Sequence, residues 1–120
     1  MGQRKLFITL FRAELEDSLE GLEHLSYILE HRLNNGEITN YVFNENETLL
    51  SREISGIKRI LSAFDAVDPD GYQSVEALAQ GTVEVLKQKA AEQDESQAVQ
   101  GIIERKTKKV LNYILNGRSE

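Results

Sequence analysis

The sequence predicts an all-α fold, an antiparallel up-down bundle of four helices forming a single domain over residues 1–120. Two observations predict it. Apolar residues recur at helical spacing along almost the whole chain, and residues that end helices fall between those stretches. Short connections between four helices default to the up-down arrangement. With 40% hydrophobic and 28% charged residues, a 120-residue chain has the composition of a globular domain. It is long enough to bury roughly two-thirds of its unfolded surface.

The first helix is expected at about residues 4–34. With Ile8 at heptad position a, Leu15, Leu22 and Leu29 also fall at a, Phe11 and Leu25 at d, and Leu19 and Leu33 at e. Such a stripe is the face a helix buries in a bundle. Asn34-Asn35-Gly36 stops it, because Asn and Gly tolerate the left-handed backbone that closes a helix. The second helix is expected at about 39–67, carried by Leu49, Leu50, Ile54, Ile57, Ile60, Leu61, Phe64 and Val67. Its start has a rival at Asn44, which with Glu47 would form a capping-box-like pair. The segment ITNYVF could also pass as a short strand. The longer helix is favoured because Ile38 and Val42 keep the spacing and the length then matches the first helix.

The third helix is expected at about 74–93, with Ser74 as its cap and a thinner inner face of Val75, Leu78, Ala79, Thr82, Val83 and Leu86. Gly81 costs that helix up to ~1 kcal/mol unless another element approaches closely there. The fourth is expected at about 96–115, capped by Asp94 or Ser96 and stopped by Asn116-Gly117. Lys106 falls inside its apolar stripe, where it would interrupt the packing.

Between the second and third helices lies DPDGYQS, residues 68–74, with the chain's one proline. It invites comparison with a calcium loop. Such a loop needs acidic ligands at positions 1, 3 and 5, glycine at 6 and a bidentate glutamate at 12. Aligning Gly71 with position 6 puts Ala66 and Ala77 at the two ends. Aligning Asp65 and Glu76 with the ends puts Pro69 at position 5 and Asp70 at position 6. Neither register works, whereas Asp at i, Pro at i+1 and Gly at i+3 suit a type I turn.

Other chemistry is sparse. Without cysteine there is no disulfide, thiolate metal site or cysteine nucleophile. His24 and His31 project from one side of the first helix, each preceded by a glutamate. The Glu-x-x-His pairs of a di-metal bundle are nevertheless missing, and no other helix carries a histidine. Glu20-x-x-Glu23 is half of a paired acidic magnesium pattern whose second half is lacking. No phosphate loop or nucleophile elbow is present. The metal candidates are therefore His24, His31, Asp68 and Asp70, and no cofactor is expected. Arg105, Lys108 and Lys109 share a helix face that could bind an anion. Against nucleic acid stand the net charge of −6 and the lack of an aromatic stacking platform.

One feature points outward. Leu6, Phe7, Ile8, Leu10 and Phe11 are apolar on nearly every side of the helix start, so more than one surface should cover them. Leu6, Phe7, Leu10 and Phe11 are the expected partner-binding residues, with a homodimer the simplest partner. The alternative cover is the corner between the second and third helices. The N-terminal apolar run is too short for a secretory signal, and no segment approaches a membrane span. The reading is a small, cytoplasmic, non-catalytic interaction module (adaptor, chaperone-like or regulatory) that binds a protein partner or itself. The competing reading is a metal- or small-ligand-binding bundle built on the carboxylates and histidines of the first helix.

Overall fold

The computed structural model describes residues 2–117, and it is an up-down bundle of four helices: α1 (Gln3–Asn34), α2 (Asn40–Phe64), α3 (Val75–Glu92) and α4 (Gln97–Asn116). The side chain of Thr39 accepts from the Val42 amide at 3.2 Å, so the longer start of α2 is the one formed and Asn44 lies inside the helix. Its end comes earlier than the periodicity suggests. After Phe64 the chain tightens, Ala66 and Val67 donating to carbonyls three residues back. Pro69 is the physical reason, since a proline disfavours helical backbone in the residue before it.

DPDG forms the expected turn, as a single turn of 3-10 helix over Pro69–Gly71. The Asp68 carboxylate accepts from the Asp70 amide at 2.9 Å, and the Gly71 amide donates to the Asp68 carbonyl at 3.1 Å. Ser74 then caps α3 through the Ala77 amide, and Ser96, rather than Asp94, caps α4 through the Val99 amide. Asp94 instead takes a left-handed conformation at φ 51° that turns the chain between α3 and α4.

The core sits at one end of the bundle. Phe7, Phe11 and Leu15 of α1 meet Ile57, Ile60 and Phe64 of α2, Val75, Leu78, Leu86 and Ala90 of α3, and Val99, Ile103 and Val110 of α4. Phe11 packs edge-on against Phe64 with ring centroids 4.8 Å apart, and Phe7 stacks on Phe11 at 5.5 Å. The apolar start of α1 is therefore covered by the chain's own corner, not left open. Arg4 ties the two together, its Nη1 donating to the carbonyls of Pro69 at 3.1 Å and Tyr72 at 2.5 Å.

Two glycines allow close approach of neighbouring groups. At Gly81 a Cβ would stand 2.3 Å from the Tyr72 ring, so the ring lies directly on the α3 backbone. At Gly56 a Cβ would stand 2.8 Å from Glu95 Oε1 and 2.9 Å from Val99, which lets the start of α4 press against α2. There Glu95, 5% exposed, accepts both Nε (2.6 Å) and Nη2 (2.8 Å) of Arg59. Hydrogen bonding to Glu95 raises the Arg59 pKa further above its ordinary value. This bidentate pair fixes the α3–α4 turn to α2.

Two stability predictions follow from the packing. Gly81→Ala is expected to destabilise the fold by about 1–2 kcal/mol, because displacing Tyr72 outweighs the gain in helix propensity. In a Tyr72→Ala background the same substitution should become stabilising, a sign reversal that urea denaturation of the four proteins would register. Thr82 is fully buried, and its Oγ1 has no hydrogen-bond partner among the described residues. Thr82→Val should therefore raise the unfolding free energy by about 1 kcal/mol, and an unmoved denaturation midpoint would contradict it.

Candidate functional site

The four helices differ in length, and this difference creates the most distinctive surface of the molecule. At 1.5 Å per residue, the 32 residues of α1 span about 48 Å and the 20 of α4 about 30 Å. All four helices share the core end, so α1 and α2 run on together as a hairpin beyond the α3–α4 turn. The molecule measures 54 × 31 × 18 Å as a result. Pairing within the hairpin continues, with Ser26 donating to Glu47 at 2.9 Å. Beyond Leu15 on α1, and ahead of Gly56 on α2, no residue is fully buried.

The apolar periodicity does not stop where the core stops. Six of the nine large apolar side chains exposed among the described residues lie on this hairpin: Leu25, Tyr27, Ile28, Tyr41, Val42 and Leu49. On α1, Ser18, Gly21, Leu22 and Leu25 line a hollow shared with Ile102, Arg105, Lys106 and Lys109, so this side faces α4. Leu25 (51% exposed) stands at the open edge of that hollow, and Ile28 continues the same side one turn nearer the hairpin tip. On α2, Val42 and Leu49 (60% exposed) stand fourteen and seven residues before Gly56, on the stripe that meets Glu95 and Val99. The hairpin thus extends its core-facing stripes past the helices that cover them below. Glu45 and Glu53 flank Leu49 on the same side of α2 and make no ion pair among the described residues.

The basic face of α4 is a second feature. Lys106, expected to interrupt the packing, is instead paired, donating to Glu14 of α1 at 3.0 Å while Lys109 donates to the same oxygen at 3.1 Å. Burial pushes the Glu14 carboxyl up, but hydrogen bonds and charge from Lys106 and Lys109 outweigh it and leave the pKa below its ordinary value. Opposite charge on the first and last helices is in this part an intrachain contact. Arg105 and Lys108 remain exposed and without an ion-pair partner among the described residues. With Lys109, Leu111, Asn112, Leu115 and Asn116 they line a shallow hollow of about 560 Å³. It has a basic rim and an apolar floor.

The other residues singled out in the sequence are dispersed. Phe7 and Phe11 are 0% exposed and belong to the chain's own core, with Leu10 packed against it, while Leu6 is half-buried. The apolar run signalled a need for cover that the corner supplies. His24 and His31 are exposed on the hairpin, the latter stacked on Tyr27 with ring centroids 6.1 Å apart. Asp68 and Asp70 lie at the opposite, corner end, where Asp68 is engaged in its turn. Among the described residues no three His, Asp or Glu side chains gather where they could hold a metal ion, and no helix is long and apolar enough to cross a membrane. The hairpin's open face and Glu95 are the features sequence reasoning missed.

The Glu14 cluster predicts a pH dependence. A carboxylate whose folded pKa is lowered contributes stability that is full above its unfolded pKa and lost as the pH falls through the folded value. Glu104, hydrogen-bonded to Lys87 at the surface, shifts in the same direction. Stability is expected to decline below the ordinary carboxyl value of 4.5. Glu14→Gln should make that decline shallower while costing about 1–2 kcal/mol at pH 7, as two partly buried ammonium groups lose their partner. Denaturation midpoints of both proteins across pH 3–7 would test this.

Comparison with protein-family models, with curated proteins and with solved structures gave no match, so a functional reading has to come from these two surfaces.

Proposed function

We propose that the chain is a small, non-catalytic, cytoplasmic interaction module that docks a protein against the open face of the α1–α2 hairpin. The observation that carries this reading is the continuation of the apolar stripe, through Leu25, Ile28, Val42 and Leu49, from the edge of the α4 cover onto the exposed hairpin. Scattered exposed apolar residues are ordinary, whereas a clustered set on one projecting element marks an interaction surface. A protein occupant suits the shape, since an amphipathic helix laid into the gap would replace the cover that α4 provides lower down.

The reading predicts a separation between folding and binding. Leu25→Glu and Leu49→Glu are expected to leave the unfolding free energy within about 0.5 kcal/mol of the parent, as surface changes do. A photo-crosslinking residue at position 25 or 49, introduced in the cell of origin, should give discrete adducts. The same residue at the exposed control positions Lys58 and Gln88 should give none. Absence of any adduct from 25 and 49 would reject the module.

A further inference from the structure

We infer that the occupant of the hairpin face is the outer face of α4 in a second copy of this chain, the two contacts being made reciprocally in a two-fold dimer. This rests on the hairpin being an interaction surface and goes further by naming what covers it.

Charge distribution carries the argument. Between the last buried residue of α1 and the first of α2, residues 16–55 hold nine carboxylates and two arginines, a net charge of −7. The whole chain has −6, so the hairpin carries all of its excess negative charge and the remainder has a net charge of +1. Helix α4 is the opposite case, with Arg105, Lys106, Lys108 and Lys109 against Glu104 alone, a net charge of +3. Fields of this size steer association and fix which patches meet.

Chemistry at close range agrees. The hairpin offers Leu25, Ile28, Val42 and Leu49 beside Glu45 and Glu53, which form no ion pair among the described residues. The α4 face offers Leu111 and Leu115 in a hollow rimmed by Arg105 and Lys108, which form no ion pair among the described residues. Each surface supplies what the other lacks, apolar floor to apolar floor and carboxylate to cation. Packing hairpin on hairpin would cover the same apolar side chains. It would also bring two segments of −7 together, and like charges across an interface are costly.

Geometry allows closure. The α1–α2 hairpin runs on past the α3–α4 turn, and the apolar side chains there are exposed. A second copy turned end for end presents its own α4 there while its hairpin reaches back over the first copy's α4. The two contacts are equivalent, which makes the assembly a closed dimer and not an open chain.

The test is a charge swap on the full chain, read by sedimentation equilibrium from about 1 to 100 μM at low and high salt. The parent is expected to dimerise, more weakly as salt rises. Arg105→Glu/Lys108→Glu and, separately, Glu45→Lys/Glu53→Lys should each weaken dimerisation at least about tenfold. Mixing the two variants should restore it as a heterodimer, because each contact in the mixed pair again joins opposite charges. Unchanged melting temperatures would establish that both variants fold. A parent that stays monomeric throughout, or a dimer indifferent to both swaps, would overturn the inference. Crosslinked adducts at positions 25 and 49 of a mass other than twice the chain would also overturn it, and in that case the module reading would stand with a different partner.

Discussion

Four helices of unequal length share one end of the bundle. Packing α3 and α4 against α1 and α2 buries Phe7, Phe11, Leu15, Ile57, Ile60 and Phe64 completely. The same apolar period then runs on into a region the shorter helices do not reach. Leu15 and Leu29 share a heptad position, yet one is fully buried and the other only half. Burial is decided here by the extent of the neighbour and not by the residue. Stability is therefore concentrated at the corner end, while the hairpin holds together through its own two-helix seam.

Where the short layer ends is fixed by a specific contact. Glu95 gives both its oxygens to Arg59, and Gly56 lets Glu95 and Val99 come within reach of the α2 backbone. The Arg59 side chain is 42% exposed, so the pair is held partly in water and its geometry matters more than its Coulomb energy. Asp94 in a left-handed conformation completes the turn. Together these set the point on α2 at which cover begins, and hence how much of the hairpin's stripe stays open.

Much of this fold was legible in the sequence because its signals are local. Helix periodicity, the Ser74 and Ser96 caps, and the DPDG turn each depend on residues a few positions apart, and each appears where expected. The close approach that would justify Gly81 was also legible as a condition, though not its partner, Tyr72. Cover is a different matter. The run from Leu6 to Phe11 shows how much apolar surface needs burying, but nothing within it says that Phe64 and the corner do the burying. The open hairpin face escaped notice for the converse reason: Leu25 and Leu49 carry the same pattern as residues that are buried. Glu95 is one acid among twenty until the fold brings Arg59 to it.

Charge along the chain follows the same division. Where α1 and α4 run side by side, the acid and the bases neutralise each other: Glu14 holds Lys106 and Lys109, turning a polar break in the α4 stripe into a tie between helices. Above that level α1 has no helix on its α4 side to pair with. Its carboxylates and those of α2 accumulate on an element that already exposes apolar side chains. Below it, Arg105 and Lys108 stay exposed and, among the described residues, have no carboxylate partner. A monomer cannot bring these two surfaces together, because α4 points away from the hairpin tip in the same bundle that holds both. Two copies can, and the separation of charge that a single chain leaves uncompensated is the reason to look for the second.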